Sequence, residues 1–432
     1  MYDLFIIGSG PGGYRAADYA RKQGLKVMIA EAEKAGGTCL NCGCIPTKTL
    51  CHYAELALNG VNNDFQTIVE RKEEVISQLR NGVEQLLSQD ENITVVKGKA
   101  SLIDAHHVSV NGETYEAKNI IIATGSSAKM PPIEGIDDPT VVSSTELLNL
   151  TTLPKHLCIV GAGVIGMEFA SCFAAFGTKV TVVEFLKECL PAIDSDIAKR
   201  LRKSLEKRGV DFYMQAGVKS IKNGVVTFER KGKEETIEAD CVLIATGRKP
   251  NTDGLNLAEV GIETYRGGIQ VDKNMQTSVP NIYAIGDVNG RCLLAHAATM
   301  QGFRTVNHIL GKKDNICFDI MPAAVFTMPE VASVGLTAEQ CEERGLECKV
   351  LKGFYRANGK ALAMNETDGL VKLIVNSEQQ ILGCHIMGAH AADLVQEVTV
   401  LMNLGGTLET LRNIIHTHPT LSEILQEIAL QN

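Results

Sequence analysis

Two cysteines separated by four residues, Cys39 and Cys44, have the types and spacing that most directly suggest chemistry in this sequence. A disulfide between them would close a very small ring, which suits reversible oxidation better than stapling a fold. Most of the other cysteines are isolated in apolar runs, as Cys158, Cys172 and Cys241 are, and are expected to be buried in a reducing environment. The sequence therefore predicts one redox-active cysteine pair.

A glycine-rich phrase occurs twice, each time between a strand-like run and a helix-like run. In both copies, an acid lies 18 positions after the last glycine, Glu31 in the first and Glu184 in the second. The glycines permit a tight turn, close approach of a pyrophosphate and close helix–strand packing, while the acid can bind a ribose. Two dinucleotide sites are therefore predicted, with these glycines: Gly8, Gly10 and Gly13 in the first, and Gly161, Gly163 and Gly166 in the second.

The runs around each glycine phrase predict a strand, a helix and a second strand. That order forms a right-handed parallel βαβ unit. The predicted elements are strand 4–7, helix 14–23 and strand 26–30 in the first half, and strand 157–160, helix 167–176 and strand 179–183 in the second. Each half then ends with the same Ile-Ala-Thr-Gly phrase, which finishes at Gly125 and Gly247.

The acid of the second phrase also predicts which nicotinamide cofactor is preferred. A carboxylate at Glu184 would repel a 2′-phosphate, and no arginine lies within a few residues after it. NAD is therefore favoured over NADP.

The cysteine pair follows the first dinucleotide unit, so the cofactor of that unit should be its neighbour. Nicotinamide delivers a hydride, and a flavin can convert that into electron transfer to sulfur. FAD, NAD and a disulfide in series are therefore predicted. Thr124, Gly125 and Asp287, the last taken as the end of a strand, are expected near the flavin. The alternative, a metal site at Cys39, Cys42 and Cys44, lacks a matching second half, and no metal is expected.

A helix is predicted to begin at about Pro46, directly after Cys44, because proline suits the first turn of a helix. The helix dipole would stabilise a thiolate there by about 0.3–1 kcal/mol. Lys48 lies on the next turn and could assist, although a solvated lysine is the alternative interpretation.

The segment from His416 to Glu423 is the second candidate for chemistry. A thiol is a weak nucleophile at neutral pH, and a histidine such as His418 can act as its base. Glu423 could orient the ring, as the acid does in a hydrolase triad. Two helix-capping histidines are an alternative, and a metal site that joins His385, His390, His416 and His418 is a third.

Composition and texture predict a soluble protein of several domains. Of the 432 residues, 45% are hydrophobic and 22% charged, and the net charge of −9 argues against nucleic acid as the main partner. No apolar run is long enough to span a membrane, and a strand opens the chain, which favours the cytoplasm. The predicted divisions are 1–148 (FAD-binding, first part), 149–247 (NAD-binding), 248–316 (FAD-binding and central) and 317–432 (C-terminal α+β).

These motifs together resemble the FAD-dependent pyridine nucleotide–disulfide oxidoreductases, and within them the branch that acts on dihydrolipoamide. The resemblance covers nearly the whole chain and follows in order GSGPGGY, GGTCLNCGCIPTK, GAGVIGMEF, ATGRKPN, YAIGDV, LLAHAA, PEVASVG and HTHPTLSE. It implies an α/β fold with two Rossmann-like dinucleotide-binding domains, for FAD and NAD, and a C-terminal α+β dimerisation domain. It also implies a homodimer that oxidises dihydrolipoamide on a lipoyl-bearing carrier protein, as in 2-oxo acid dehydrogenase or glycine cleavage systems.

The resemblance further implies a role for individual residues. Cys44 would face the flavin as the charge-transfer thiolate, and Cys39 would exchange with the substrate. His418, with Glu423 behind it, would act on the disulfide of the other subunit. The remaining implied positions are a Lys48–Glu168 pair near the flavin, FAD contacts at Ala100, Asp287 and Ala295, and NAD contacts at Val218 and Gly247.

Three positions depart from the family pattern, namely Cys42, Met328 and His390. They bear on substrate and regulation more than on reaction type. Mercuric reductase and large thioredoxin reductase need a C-terminal redox pair, but the last cysteine is Cys384. A glutathione-reductase-like disulfide reductase and a non-catalytic flavoprotein subunit remain as alternatives.

Overall fold

The structure, a computed structural model, describes residues 1–431 and divides into two compact units, each made of three stretches of chain. The first unit comprises residues 1–49, 66–129 and 247–316, and the second comprises residues 50–65, 130–246 and the chain from 317 onward. The division into four segments that the sequence predicts stays a prediction.

Twenty-four strands form the sheets of the described chain. They are β1 (Tyr2–Ile7), β2 (Val27–Glu31), β3 (Ile93–Lys97), β4 (Ala100–Leu102), β5 (His107–Val110), β6 (Glu113–Ile122), β7 (Ser126–Ala128), β8 (Val141–Val142), β9 (His156–Val160), β10 (Lys179–Glu184), β11 (Asp211–Met214), β12 (Ala216–Lys222), β13 (Val225–Arg230), β14 (Lys233–Glu238), β15 (Cys241–Ile244), β16 (Arg248–Pro250), β17 (Thr264–Tyr265), β18 (Gly268–Ile269), β19 (Ile282–Ala284), β20 (Ala323–Val325), β21 (Val331–Gly335), β22 (Lys349–Phe354), β23 (Leu370–Val375) and β24 (Ile381–Met387).

Fourteen α-helices accompany these strands in the described chain. They are α1 (Pro11–Lys22), α2 (Gly37–Cys42), α3 (Cys44–Leu58), α4 (Phe65–Ser88), α5 (Ser144–Leu148), α6 (Val164–Ala175), α7 (Ser195–Lys207), α8 (Leu257–Val260), α9 (Ala295–Ile309), α10 (Ala338–Glu343), α11 (Gly359–Ala363), α12 (Ala391–Asn403), α13 (Leu408–Asn413) and α14 (Glu423–Leu430). Two 3₁₀ turns cover Gly286–Asn289 and Tyr355–Ala357.

The main sheet of the first unit is parallel around β1. Its strand order is β3-β2-β1-β6-β19, and the first half of β6 also pairs antiparallel with β5, which pairs with β4. Leu4, Phe5 and Ile6 of β1 are fully buried, as expected of a strand covered on both faces. Because β1 and β2 are parallel, α1 must cross over between them, and this places the first glycine loop at the carboxyl end of β1.

The second unit repeats that arrangement and adds two antiparallel sheets. Its parallel sheet has the order β11-β10-β9-β15-β8, with α6 as the crossover between β9 and β10. Strands β12-β13-β14 form a three-stranded sheet, and β20-β21-β24-β23-β22 form the sheet of the C-terminal region, which packs with α12, α13 and α14 around a common apolar core. The predicted fold class is confirmed.

Several helices begin earlier than the sequence predicts. Helix α1 starts at Pro11, α6 at Val164 and α3 at Cys44, each two or three residues ahead of the expected position. For α1 and α6 the reason is local, since the glycine loops turn directly into the first helical turn, where N–H groups without a partner inside the helix point out of the loop. Proline at the first position of α1 suits that start.

Candidate active site

The first glycine loop closes tightly between β1 and α1. Gly8 has φ +102°, and a side chain there would meet the Ala123 carbonyl oxygen at 2.5 Å, so only glycine fits. A side chain on Gly13 would overlap the Gly8 carbonyl oxygen. Gly10, which caps α1, would meet nothing within 4 Å. The helix N-terminus is therefore open at the one glycine where an anionic phosphate group would approach.

Glu31 at the end of β2 is tied back to this loop. Its Oε2 atom accepts hydrogen bonds from the Ser9 backbone N–H at 2.8 Å and from the Ser9 hydroxyl at 2.6 Å. Its Oε1 atom accepts from the Glu33 N–H at 2.8 Å. The backbone N–H of Gly98 donates to the Glu31 carbonyl oxygen, which brings the segment before Ala100 to the same end of the sheet. Ala100 itself is buried in β4.

The cysteine-bearing segment is anchored on the first glycine loop. Gly36 donates its N–H to the Ser9 carbonyl oxygen at 3.0 Å, and a side chain at Gly37 would meet the Gly10 Cα at 2.7 Å. Asn41 holds the short helix α2 by donating to the carbonyl oxygens of Ala35 and Gly37, at 2.9 Å each. The first cysteine therefore sits on a helix packed against the loop that is expected to bind the first dinucleotide.

Cys39 and Cys44 lie on two successive helices, α2 and α3, with Gly43 between them. The two thiols interact by a hydrogen bond, and this contact is the main reason that the pKa of Cys39 is raised above its ordinary value. Burial raises the pKa further, while the charge of Lys48 lowers it. Because Cys44 is the first residue of α3 and is exposed, a thiolate there would face the positive end of the helix dipole.

Asp287 approaches the first unit's site from a later stretch of chain. It lies in the 3₁₀ turn after β19 rather than at a strand end, which corrects the expectation, because β19 already ends at Ala284. Its Oδ2 atom accepts the Ser126 hydroxyl at 2.5 Å and lies 3.8 Å from the Arg248 Nε atom. Neither Ser126 nor Arg248 was predicted, since nothing in their local sequence points to Asp287.

Thr124, Gly125 and Ala295 are the other residues of the first unit that the sequence predicts near the flavin. Thr124 donates its hydroxyl to the Asn251 carbonyl oxygen at 2.7 Å, and the Asn251 amide returns a hydrogen bond to the Thr124 carbonyl oxygen at 3.0 Å. Gly125 follows with φ +70°. Ala295 opens α9, which packs against α1 through contact between Ala298 and Gly12. Thr124 and Gly125 directly follow the carboxyl end of β6, and the flavin contacts of all three residues stay predictions.

The second glycine loop repeats the geometry of the first. Gly161 has φ +106°, and a side chain there would meet the Ala245 carbonyl oxygen at 2.6 Å. Gly163 caps α6 and is open, while a side chain on Gly166 would overlap the Gly161 carbonyl oxygen. Glu184 ends β10, and its carboxylate accepts from the Ala162 N–H at 2.5 Å and from the Leu186 N–H at 2.7 Å.

The remaining predicted cofactor-binding residues fall into two groups, one in each unit. Val218 lies half-buried on β12 in the second unit. Glu168 is buried on α6, where its Oε1 atom accepts the Phe326 N–H at 2.9 Å. Lys48 and Gly247 belong to the first unit, so the Lys48–Glu168 pair and the NAD contact of Gly247 stay predictions.

His418 and Glu423 form a pair at the start of α14. The Nδ1 atom of His418 lies 2.9 Å from the Glu423 Oε1 atom, and the histidine side chain is 81% exposed. The second carboxylate oxygen accepts the Thr420 N–H at 2.7 Å. This backbone hydrogen bond, followed by the one from His418, lowers the pKa of Glu423. The ring is thus oriented by a carboxylate and presents its other nitrogen outward.

His416 lies two residues earlier but is enclosed. Its side chain is 3% exposed, and its Nε2 atom lies 2.8 Å from the Glu397 Oε1 atom on α12. His385 is also buried, with Nε2 bound to the Leu336 carbonyl oxygen. Within residues 1–431, no cluster of His, Cys, Asp or Glu has the geometry to hold a metal ion.

No α-helix among the described residues is both long and apolar enough to cross a bilayer.

Comparison with known proteins gives one consistent family. Residues 2–302 match the model of the pyridine nucleotide-disulphide oxidoreductases, and residues 321–429 match the dimerisation domain of the same family. Dihydrolipoyl dehydrogenases are similar over 99% of this chain, namely those of Chlamydia muridarum, 40% identical over 96% of that protein, and Geobacillus stearothermophilus, 41% identical over 95%.

A solved structure is similar over its whole length. The HOCl-induced flavoprotein disulfide reductase RclA from Escherichia coli superposes with a TM-score of 0.92 and 36% identity, covering 99% of both chains. The same reductase has also been solved as a Cu(II) complex, with 36% identity to this chain. The two glycine loops, the thiol pair and these matches show that the chain belongs to the pyridine nucleotide–disulphide oxidoreductases, flavoenzymes that use FAD and NAD(H).

Proposed function

We propose that this enzyme oxidises protein-bound dihydrolipoamide to lipoamide and reduces NAD⁺, through FAD and a redox-active disulfide between Cys39 and Cys44. The observation that carries the proposal is the contact between these two thiols, the first of which lies on a helix whose start is anchored to the first glycine loop. The similarity to dihydrolipoyl dehydrogenases over nearly the whole chain supports the choice of substrate.

The residues of the first unit fit FAD. The open N-terminus of α1 at Gly10 suits the pyrophosphate, Glu31 suits a ribose, and Asp287 suits a hydroxyl of the ribityl chain. When bound, FAD supplies the exchange of electrons between thiols and nicotinamide. The residues proposed to bind FAD are Gly8, Gly10, Gly13, Glu31, Lys48, Ala100, Thr124, Gly125, Asp287 and Ala295.

The second glycine loop is proposed to bind NAD(H). Glu184 ends β10 with both carboxylate oxygens hydrogen-bonded to backbone N–H groups, which holds a negative charge beside the expected ribose. That charge favours a free 2′-hydroxyl and repels a 2′-phosphate. The proposed residues are Gly161, Gly163, Gly166, Glu168, Glu184, Val218 and Gly247.

The proposed exchange uses the exposed histidine as a base. Because Glu423 accepts from Nδ1 of His418, Nε2 is left to remove the proton from a substrate thiol. The resulting thiolate attacks the Cys39 sulfur, and the Cys39–Cys44 bond breaks with Cys44 as leaving group. The second substrate thiol then displaces Cys39, which releases the cyclic disulfide and leaves both cysteines reduced.

We propose that the reaction takes place across a homodimer, with His418 acting on the disulfide of the other subunit. The family's dimerisation domain in this chain supports the dimer. Exposed apolar side chains next to His418 support the same conclusion, since Ile415 is 95% exposed and Ile414 37%. The lipoyl-bearing carrier and the cytoplasmic location stay predictions.

A second candidate is a disulfide reductase that runs in the opposite direction. The match to the Escherichia coli reductase covers 99% of both chains. The matches to the two dehydrogenases also cover 99% of this chain, but 96% and 95% of the dehydrogenases themselves. The same cysteine pair would then pass electrons from a nicotinamide cofactor to a disulfide substrate. A glutathione-reductase-like activity belongs to this alternative.

Steady-state assays separate the two candidates. We expect kcat/KM for dihydrolipoamide with NAD⁺ to exceed that for glutathione disulfide with NADPH by at least about 100-fold, the discrimination that a fitted site provides. Cys39→Ser should lose activity, whereas Cys317→Ser, at an exposed and isolated cysteine, should keep it. A higher kcat/KM for a disulfide with a reduced nicotinamide cofactor than for dihydrolipoamide with NAD⁺ would favour the reductase and overturn the proposal.

A further inference from the structure

A second pair of cysteines lies in close contact outside the proposed redox centre. The sulfur of Cys51 on α3 lies 3.3 Å from the sulfur of Cys172 on α6. Both side chains are enclosed, since Cys51 is 9% exposed and Cys172 is fully buried. Sulfur atoms in a disulfide are about 2.0 Å apart, so a bond requires an approach of about 1.3 Å.

The surroundings of Cys172 hold its sulfur in place. Glu168 lies one turn earlier on α6 and accepts the Phe326 N–H at 2.9 Å. The Ser171 hydroxyl accepts the Met328 N–H at 2.9 Å. These contacts tie this turn of α6 to the segment after β20, so that Cys172 stays beside its neighbour on α3.

Cys51 occupies a distinctive position on α3. It follows Lys48 by three residues and Cys44 by seven, and this spacing puts the three side chains on one face of the helix. Helix α3, which begins with Cys44, therefore carries a further thiol, that of Cys51, two turns later on the same face.

The contact between Cys51 and Cys172 does not arise merely from an abundance of buried cysteines. Cys158 and Cys241 also lie on adjacent strands, β9 and β15, and both are buried. In that pair Cys158 lies opposite Val242, one residue out of register with Cys241. Neighbouring strand residues point to opposite faces, so these two thiols cannot bond.

We propose that Cys51 and Cys172 form a second oxidisable dithiol, a modification site for small hydroperoxides. Cys51, the more exposed of the two, is oxidised by hydrogen peroxide to the sulfenic acid, and one water is released. The Cys172 thiol then attacks that sulfur, the S–S bond forms, and the hydroxyl leaves as a second water. The new disulfide ties α3 to α6, the helix of the second glycine loop.

Peptide mapping tests the proposal directly and independently of the enzyme's substrate. The FAD-loaded protein is treated with hydrogen peroxide, its remaining thiols are blocked, and it is digested with trypsin without reduction. We expect a peptide that joins the α3 segment with Cys51 to the α6 segment and is released by dithiothreitol. The tryptic peptide with Cys172 also contains Cys158, so a Cys158→Ala background assigns the bond.

Variants complete the design. Cys172→Ala should abolish the linked peptide, and Cys51→Ala provides the same test if the first variant folds poorly. In the protein that keeps Cys158, the buried Cys241 is the matched control, and its tryptic peptide should remain unlinked. Recovery of Cys51 and Cys172 as blocked thiols, at a peroxide dose that fully oxidises Cys39 and Cys44, would overturn the proposal.

Discussion

The two glycine loops share one backbone geometry but differ in what surrounds them. In both, the first glycine has a positive φ next to the carbonyl oxygen of the residue that follows a neighbouring strand, and the last glycine packs against the first. The first loop also receives the segment that leads into the cysteine helix α2, and Ile285 and the α9 residue Ala298 both lie beside Gly12 of the loop. A retained cofactor is expected at a loop that is covered by so many later segments.

The second loop is more open at the corresponding place. Glu184 is followed by Phe185, which is 77% exposed, and Leu186 and Val164 are 44% exposed each. An exposed apolar rim of this kind suits a ligand that enters and leaves in every turnover. The shared loop geometry therefore suits a dinucleotide in both units, while the neighbouring segments are expected to determine whether the cofactor stays bound.

The largest effect should come from substituting Cys44, one of the two redox cysteines that follow the first loop and have no counterpart after the second. Cys44→Ser should abolish lipoamide turnover and the long-wavelength charge-transfer band of the two-electron-reduced protein, because serine provides no thiolate toward the flavin. Absorption spectra during anaerobic titration with dithionite measure the band. FAD content should stay unchanged, and a band that persists would exclude Cys44 as the flavin-facing sulfur.

A site outside both loops should affect turnover without releasing either cofactor. His418→Gln should lower lipoamide turnover by about 10²–10⁴-fold, the usual contribution of a general base. His107→Gln is the matched control, since His107 also lies 2.9 Å from a carboxylate, that of Asp104, at an exposed position. Steady-state rates of both variants provide the test, and a normal rate for His418→Gln would remove it from the mechanism.

Substituting the last glycine of each loop should separate the two cofactors. Gly13→Ala should weaken FAD binding and Gly166→Ala should weaken NAD binding, because each added Cβ overlaps a backbone carbonyl oxygen. Overpacking costs about 1–3 kcal/mol, which corresponds to about 5–150-fold in affinity. Flavin content and NADH titration by fluorescence measure the two effects. Loss of FAD from Gly166→Ala but not from Gly13→Ala would reverse the assignment.

The acid of the second loop should control the choice between NAD and NADP. Glu184→Arg should reduce the preference for NAD by about tenfold or more, since the negative charge at the ribose is replaced by a positive one. The ratio of kcat/KM values for the two cofactors measures the change. An unaltered ratio would mean that Glu184 does not contact the ribose.

The smallest effect should come from the Ser9 hydroxyl, which donates a hydrogen bond to Glu31. The second loop has Ala162 at the corresponding position and therefore no such hydroxyl. Ser9→Ala removes one hydrogen bond to the Glu31 carboxylate, a contact worth about 1 kcal/mol at a partly exposed site, or about fivefold in FAD retention. Ala162→Ser, the converse change in the second loop, serves as the comparison. Flavin release during dialysis measures both, and equal release from Ser9→Ala and the unchanged protein would show that the hydroxyl is dispensable.

Much of the fold and of the candidate site could be predicted because it depends on short-range spacing. Each predicted feature joins residues that are close in the sequence. Glu31 and Glu184 lie about twenty residues after the glycine loops that they contact, and His418 lies five residues before Glu423. Over such distances the geometry of helices and strands largely determines which side chains meet. The exact helix starts and the 3₁₀ turn at Asp287 could not be predicted from the sequence, because they depend on how each loop closes.

The sequence by itself determined two dinucleotide loops, a cysteine pair after the first of them and a histidine–glutamate pair near the C-terminus. Only the tertiary structure decided that Asp287 meets Ser126 and Arg248, that Thr124 meets Asn251, and that Cys51 meets Cys172. The physical reason is separation along the chain, because contacts between residues 39 to 161 positions apart depend on how whole elements pack. No local pattern encodes which of thirteen cysteines become neighbours.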